Sequence, residues 1–154
     1  LVICTNTMHK VADDVEEKTG LPLLHIVDVT GNAVRERGLH RIGLLGTRFV
    51  TKEPFYQERL QERFGIEVLV PREDDIDTIH QIIYNELCEG KIKASSRRIC
   101  ADIISKLVNK GTEGIVLGCT ELPLLIQPSD IDVPIFDTTR LHAEAAVNLA
   151  LAEG

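Results

Sequence analysis

The sequence lacks both long apolar runs and an excess of basic residues. No hydrophobic stretch approaches the roughly 20 residues that a helix needs to cross a bilayer. The chain has 17 Lys and Arg against 24 Asp and Glu, which gives a formal net charge of −7. Because nucleic acids and anionic membranes attract basic surfaces, we expect neither of them as a partner.

Metal-binding and nucleotide-binding motifs are missing as well. The four cysteines, Cys4, Cys88, Cys100 and Cys119, form no Cys-x-x-Cys pair, and no histidine pair stands beside them at a zinc-ligand spacing. Neither a Gly-x-Gly-x-x-Gly fingerprint nor a P-loop occurs. We therefore predict no metal site and no bound nucleotide. The first residues carry no basic stretch of the kind found in signal peptides, which favours reduced thiols and a cytoplasmic protein.

The order of apolar segments predicts an α/β fold. The 154 residues are enough for a buried core, and short β-favouring runs alternate with segments of helical periodicity. This alternation is typical of a mostly parallel sheet with helices on both faces. We predict strands at residues 1–3, 23–27, 41–45, 66–70, 114–118 and 134–136. We predict helices at residues 8–18, 29–37, 52–64, 79–87, 94–110 and 139–152, with N-caps at Asp28 or Thr30, at Thr51, and at Thr138 or Thr139.

Two of the cysteines directly follow predicted strands. Cys119 comes after the apolar run 114–118 and Cys4 after the run 1–3. Ligands of open parallel sheets bind at the carboxyl ends of the strands, so both thiols are expected at an active edge. The N–H groups of the following helices would favour thiolates there. Cys88 and Cys100 fall inside helical patterns and are expected to be small buried hydrophobic residues.

Paired thiols suit proton transfer at the α-carbon of a small carboxylic acid. One thiolate would remove the proton from one face and the opposite thiol would return a proton to the other, inverting the configuration. Because two neighbouring thiolates repel each other, one charged and one neutral sulfur is the expected resting state. Small hydroxyl and amide donors beside the cysteines suit a carboxylate, namely Thr5, Asn6, Thr7 and Thr120.

A faint internal repeat supports a cysteine in each of two related halves. Each Cys-Thr pair is followed by a proline, an apolar segment and an Asp-x-Thr triplet. The first copy has Cys4, Pro22 and residues 28–30, and the second has Cys119, Pro134 and residues 137–139. The repeat predicts two α/β halves that face each other. The alternative is that strand–helix units share this pattern generally.

Three motifs resemble those of the aspartate/glutamate racemase family. They are Cys-Thr-Asn-Thr-Met-His at residues 4–9, Gly-Thr at 46–47 and Gly-Cys-Thr-Glu at 118–121. The resemblance extends over nearly the whole chain, through residues 82–87 and 136–138, and fits the broad-specificity members that use no pyridoxal phosphate. It implies a racemase of aspartate and/or glutamate that needs no cofactor. It also implies two pseudo-symmetric Rossmann-like domains, a site in the cleft between them, and a homodimer.

The resemblance also implies roles for individual residues. Cys4 and Cys119 would be the two acid/base groups, and Glu121 would orient its surroundings. The expected substrate-binding residues are Thr5, Asn6, Thr7, Gly46, Thr47, Arg48, Thr120 and Glu121. Arg48 could supply the charge for the distal carboxylate, although a loop arginine is commonly solvated. Some family members carry a lysine where this sequence has Cys88, which leaves that recognition open.

The sequence departs from the family at its start. Family members have a strand and a Gly-Gly-Met loop ahead of the first cysteine motif, and this sequence shows neither. We therefore expect residues 1–28 and 136–154 to be remnants of a truncated first domain, and residues 29–135 to be a complete second domain. With half of the cleft wall missing, residues 1–154 alone are expected to be inactive.

Two other functions remain open from the sequence. One is a different carbanion enzyme of the same superfamily, of the hydantoin racemase or maleate isomerase type. The other is a non-catalytic domain that binds small carboxylates. The paired cysteines disfavour the one-cysteine decarboxylases of this superfamily, but they do not exclude the other enzymes.

Overall fold

A parallel four-stranded sheet forms the centre of the molecule. The computed structural model describes residues 1–152 of the chain. The strands are β1 (Arg41–Gly46), β2 (Glu67–Leu69), β3 (Gly114–Gly118) and β4 (Ile135–Asp137), in the order β2-β1-β3-β4. All three pairings are parallel, which confirms the predicted α/β class.

Helices cover both faces of this sheet. They are α1 (Ala12–Thr19), α2 (Ile26–Glu36), α3 (Arg48–Thr51), α4 (Pro54–Phe64), α5 (Glu73–Asn85), α6 (Ala94–Val108), α7 (Leu122–Leu125) and α8 (Thr138–Ala152). Three 3₁₀ helices span Thr7–Val11, Leu87–Glu89 and Pro128–Asp130. Among the helices described within residues 1–152, none is both long and apolar enough to cross a bilayer.

The alternation of side chains along β1 and β3 divides the core into two layers. Leu45 and Leu117 face α5, α6 and α7, and Leu44 and Val116 face α2 and α4. Successive side chains of a strand point to opposite faces, so these nearly continuous apolar runs can fill both layers. All four side chains are almost completely buried. The sheet is therefore covered on both faces, and its strand ends remain available for a site.

The N-terminal strands are much shorter than the sequence predicts. The predicted strands 1–3 and 23–27 reduce to one isolated parallel bridge between Val2 and Leu24. Helix α2 begins at Ile26, because His25 Nδ1 accepts the Val27 N–H at 3.2 Å and caps the helix. The prediction of Asp28 or Thr30 as its N-cap is therefore wrong.

The predicted N-caps of two other helices are also wrong. Thr51 is the last residue of the short helix α3, and α4 begins at Pro54 after Glu53. At the start of α8, the Asp137 carboxylate accepts the N–H groups of Thr139 and Arg140, at 3.0 and 3.1 Å. Asp137 therefore caps this helix, rather than Thr138 or Thr139.

Two glycines allow β1 and β3 to approach closely at their carboxyl ends. Gly46 and Gly118 are register partners in the sheet. A Cβ atom on Gly46 would lie 2.9 Å from Gly118 O and 3.2 Å from Val50 Cβ. Because a backbone oxygen cannot move aside without disturbing the strand, a larger residue at Gly46 would separate the two strands where each ends.

We expect Gly46→Ala to lower the free energy of unfolding by about 1–3 kcal/mol, because the added methyl overpacks the strand ends. Urea unfolding followed by circular dichroism measures this loss. Gly118→Ala is the matched comparison, since its Cβ would first meet the side-chain atoms Val50 Cγ1 and Leu44 Cδ1, at 3.0 and 3.1 Å. A smaller loss is expected there, and a loss at Gly118 equal to or larger than that at Gly46 would contradict this account.

Candidate active site

A small cavity lies at the carboxyl ends of β1 and β3, the edge at which the sequence predicts a site. Its volume is about 200 Å³. Four segments contribute to it: the N-terminal loop, the β1–α3 junction, the end of α5 with the following 3₁₀ turn, and the β3–α7 junction. The lining residues are Thr5, Asn6, Thr7, Thr47, Ile83, Tyr84, Cys88, Gly118, Cys119, Thr120 and Glu121.

Most of the predicted site residues line this cavity. Seven of the ten are among its lining residues: Thr5, Asn6, Thr7, Thr47, Cys119, Thr120 and Glu121. Cys4, Gly46 and Arg48 are not. Cys4 is exposed and directly precedes the lining residue Thr5. Gly46 does not line the cavity, but its lack of a side chain allows β1 and β3 to approach closely next to it.

Arg48 points its charge elsewhere. Its guanidinium nitrogen Nη2 lies 3.4 Å from Asp77 Oδ1, in an ion pair between α3 and α5. Its backbone N–H lies 3.4 Å from His80 Nδ1. Both side chains of this ion pair are partly exposed, and the role of Arg48 in substrate binding stays a prediction.

A buried hydrogen-bond relay fixes Asn6 against the sheet. Asn6 Nδ2 donates to Thr138 Oγ1 at 3.1 Å, and the Thr138 hydroxyl donates to Leu117 O at 2.8 Å. The relay joins the N-terminal loop, the first residue of α8 and strand β3. Because one N–H of the Asn6 amide is bonded to Thr138, the fold determines the orientation of this amide at the cavity.

Two polar atoms at the cavity have no partner within the described chain. Asn6 Oδ1 and Thr47 Oγ1 are both buried and form no hydrogen bond with residues 1–152. Leaving such a group unpaired costs about 1–3 kcal/mol. Because both residues line the same cavity, a polar ligand bound there would satisfy them.

Cys119 carries its proton in this arrangement. Its side chain is 6% exposed, and its Sγ donates to Glu121 Oε2 at 3.0 Å. Burial and the Glu121 carboxylate raise the pKa of the Cys119 thiol to about 12, although the N–H groups of Glu121 and Leu122 act in the opposite direction. The N–H groups at the start of α7 do favour a thiolate, but desolvation and the neighbouring carboxylate outweigh them, and a neutral Cys119 is compatible with the expected pair of one charged and one neutral sulfur.

Glu121 is the charged member of this pair. Burial alone would raise the pKa of its carboxyl, but hydrogen bonds from Cys119 and Thr120 hold that pKa below its usual value. The Thr120 hydroxyl donates to the same oxygen, Oε2, at 2.7 Å. Both donors are accordingly oriented by Glu121, as the sequence predicts.

Four lining residues were not predicted: Ile83, Tyr84, Cys88 and Gly118. Cys88 is exposed in the 3₁₀ helix Leu87–Glu89, so the prediction that it is buried is wrong. Burial at the cavity and the nearby Glu121 raise the pKa of Cys88. The family resemblance could have indicated that this residue lies at the site, because some family members have a lysine at this position. Cys100 is fully buried in α6, as predicted.

No cluster of three or more His, Cys, Asp or Glu side chains suited to a metal ion is found within residues 1–152. The ionisable lining residues are the thiols Cys88 and Cys119, the phenol Tyr84 and the carboxyl Glu121. These four groups can take part in proton transfer and hydrogen bonding.

A family model described as Asp/Glu/Hydantoin racemase matches residues 1–146. The chain is 51% identical to a candidate Asp/Glu racemase from Yersinia pestis, whose crystal structure superimposes with a TM-score of 0.93. It is 33% identical to an aspartate racemase homologue from Pyrococcus horikoshii, with a TM-score of 0.87. Each match covers 97% of this chain and 65% of the other.

Matches to proteins with a named activity are more distant. A glutamate racemase from a Carnobacterium strain is 27% identical over 128 residues, which is 81% of this chain and 46% of that protein. The chain thus spans just under two thirds of the two solved relatives and about half of this glutamate racemase.

We expect Glu121→Gln to lower the pKa of the Cys119 thiol while leaving it above the ordinary value, because the carboxylate charge is removed and the burial remains. The pH dependence of iodoacetamide alkylation at Cys119, resolved by peptide mass spectrometry, measures this pKa. Thr120→Val is the control, since it keeps the carboxylate and should leave the Cys119 pKa high. An unchanged Cys119 pKa in Glu121→Gln would contradict the assigned role of the carboxylate.

Proposed function

The chain belongs to the Asp/Glu/Hydantoin racemase family, and on that basis we propose that it interconverts the L and D forms of aspartate and/or glutamate. In this proposal two thiols, Cys4 and Cys119, exchange protons with the α-carbon and no pyridoxal phosphate takes part. The observation that carries it is the protonated Cys119 thiol beside two unpartnered buried oxygens, Asn6 Oδ1 and Thr47 Oγ1, in one small cavity.

The proton balance of the reaction follows from the state of Cys119. In one direction, a Cys4 thiolate takes the α-proton from one face of the substrate and becomes a thiol. Cys119 gives its proton to the opposite face of the carbanion and becomes a thiolate. The product has inverted configuration, and the next turnover in the reverse direction restores both sulfurs. A buried thiol next to a carboxylate holds its proton until a developing carbanion takes it, which suits Cys119 to the donor role.

Recognition of the amino acid would use the polar atoms that the fold leaves available. Thr5 and Thr7 can donate hydroxyl hydrogen bonds to the α-carboxylate, where negative charge accumulates in the transition state. Asn6 Oδ1 and Thr47 Oγ1 can accept from the α-ammonium group. These four residues surround the cavity next to Cys119, so they would hold the α-carbon within reach of the thiol.

We also propose the two-domain, homodimeric and cytoplasmic organisation that the family resemblance implies. Residues 29–135 would form one complete α/β domain, and residues 1–28 and 136–154 would belong to the other. The isolated bridge between Val2 and Leu24 supports a separate N-terminal part, because it lies apart from the four-stranded sheet. The limits themselves fall inside helix α2 (Ile26–Glu36) and strand β4 (Ile135–Asp137). In this proposal the substrate binds in a cleft between the two domains. One wall of that cleft would be formed by residues other than those that line the cavity described above.

The test is exchange of the α-proton with deuterium from solvent, measured by NMR on both enantiomers of aspartate and glutamate. It is performed on the longest natural protein that contains this sequence and on residues 1–154. We expect exchange and racemisation in the former and little in the latter. Cys4→Ser and Cys119→Ser should each reduce racemisation by about 10²–10⁴-fold, because each removes one of the acid/base groups.

Cys100→Ala is the matched control for these variants, since Cys100 is buried in α6 and does not line the cavity. Its activity should stay close to that of the parent protein. Exchange that survives both serine substitutions would overturn the two-thiol mechanism. Saturable binding of aspartate without any exchange would instead support the carboxylate-binding alternative.

A further inference from the structure

Thr5, Asn6 and Thr7 form the N-terminal wall of the cavity. Three histidines form a buried cluster behind this wall. The His9 ring lies 4.7 Å from that of His25 and 5.5 Å from that of His142, centroid to centroid, in edge-on contacts. Each side chain is at least 95% buried, and none of them lines the cavity. They come from three separate segments: the 3₁₀ helix Thr7–Val11, the N-cap of α2, and α8.

The hydrogen bonds of His9 determine where its proton lies. His9 Nδ1 is 2.8 Å from Thr5 O, and a carbonyl oxygen can only accept, so Nδ1 carries the proton. The other ring nitrogen, Nε2, is buried and has no partner among residues 1–152. A neutral ring leaves only a lone pair at that atom. A charged ring would bury an N–H group there without an acceptor.

The two neighbouring rings hold other backbone groups. His25 Nδ1 accepts the Val27 N–H, so its own proton lies on Nε2. His142 Nε2 donates to Leu24 O at 2.8 Å. One nitrogen of each ring is thus bonded to the main chain, and the cluster joins the loop that carries Cys4 to α2 and α8.

We propose that His9 is a positioning residue for the N-terminal wall of the active site: its Nδ1–H holds the Thr5 carbonyl, and its buried Nε2, which has no partner among residues 1–152, keeps the ring neutral. The inference rests on the proposed function in one respect, namely that Cys4 and Asn6 act on substrate. The contact lies between them in sequence, because the Thr5 carbonyl belongs to the peptide that links Thr5 to Asn6. The other hydrogen bonds that hold this segment are the Asn6–Thr138 contact and two short-range backbone bonds, from Thr5 N–H to Ile3 O and from His9 N–H to Asn6 O.

Every charged group around His9 is consistent with a neutral ring. Burial lowers the pKa of His9, the Thr5 carbonyl opposes this in part, and His142 and Arg59 lower the pKa further. Arg59 of α4 binds Asp28 of α2 through two nitrogens, at 2.6 and 2.8 Å, and lies 3.6 Å from Asp13 of α1. Both nearby carboxylates are therefore already engaged by the guanidinium.

His25 makes the cluster sensitive to acid. Burial, then Arg59 and His9, lower the pKa of His25 to about 4, against the opposing effects of Asp28 and Asp13. An unfolded histidine titrates near ~6.5, so the unfolded chain takes up protons before the folded chain does. The stability contributed by the neutral rings is complete above about pH 6.5 and is lost as the pH falls from there toward 4.

His25→Asn tests this acid sensitivity, because Asn is a preferred N-cap residue and cannot titrate. The urea midpoint of the parent chain should fall between pH 6.5 and 4.5 by more than that of the variant, since only the parent has the additional proton uptake at His25 in the unfolded state. Equal falls in the two proteins would contradict the neutral cluster. Carboxyl groups titrate in both proteins and cancel in the comparison.

The decisive measurement for His9 is its tautomer in the intact chain. Long-range ¹H–¹⁵N correlation spectra should show a proton on Nδ1 and a bare Nε2 at pH 7.5, and a ring still neutral at pH 6. In 8 M urea the same ring should titrate as an ordinary histidine. A proton on Nε2, or a charged ring at pH 6, would overturn the proposal without reference to any activity.

Two isosteric variants test the contact itself. The side-chain amide of His9→Asn places an N–H near the position of Nδ1, and that of His9→Gln places it near Nε2. Hydrogen exchange of the backbone amides of residues 5–9 should be about 5–10-fold faster in His9→Gln, as expected for the loss of one hydrogen bond. It should be close to the parent rate in His9→Asn. Equal exchange in the two variants would contradict a specific Nδ1–H contact.

Activity measurements distinguish a failure of this inference from a failure of the proposed function. If the natural protein racemises an acidic amino acid, His9→Gln should lower kcat more than it raises KM, and His9→Asn should restore kcat. If the natural protein shows no exchange at all, the proposed function fails, while the tautomer and the amide exchange still decide the role of His9. A loss of kcat that is equal in the Asn and Gln variants would reduce His9 to a general structural residue.

Discussion

The candidate site depends on how closely β1 and β3 approach at their carboxyl ends. Gly46 and Gly118 face each other there, and each is followed by a residue of the cavity, Thr47 or Cys119. Side chains of ordinary size would separate the strands and move both of these residues apart. The apolar layers on either face of the sheet hold this spacing, because their residues interdigitate with little free volume. Packing in the core thus determines the width of the pocket.

The Glu121 carboxylate in the cavity keeps the proton on the Cys119 thiol. The only carboxyl among the described lining residues is Glu121, which faces Cys119 and Thr120 as an acceptor. The described lining residues include no Lys or Arg, and Arg48 pairs with Asp77 outside the cavity. A carboxylate substrate would therefore be held by hydroxyl and N–H donors on this side of the cleft.

The sequence predicts the sheet better than the regions around it. Strands β1 and β3 lie within one residue of their predicted positions, because Val, Ile and Leu between glycines leave little choice of structure. The cavity residues that follow those strands were found for the same reason. Residues 23–27 show the limit: the run is apolar and follows Pro22, yet one hydrogen bond from Val27 N–H to His25 turns it into the start of α2. Histidine is not a common N-cap, so no local pattern indicates it.

The histidine cluster could not be predicted for a different reason. His9 and His142 are far apart in sequence, and their contact joins the 3₁₀ helix Thr7–Val11 to α8. Which nitrogen of each ring carries the proton can be inferred only when the backbone groups next to that ring are known. Cys88 is a similar case, since its helical pattern suggests burial, whereas the 3₁₀ turn after α5 directs it to the cavity rim.

The two sulfurs are held by different kinds of structure. Cys119 continues directly from a central strand, so its position is determined by the sheet. Cys4 precedes a loop held by buried polar contacts, from Asn6 to Thr138 and from His9 to Thr5 O. Buried polar networks specify one geometry strongly when every member is satisfied, and they lose it when one bond is lost. The geometry of the N-terminal wall therefore depends on a few buried polar contacts, whereas the wall formed at the end of β3 is positioned by the sheet.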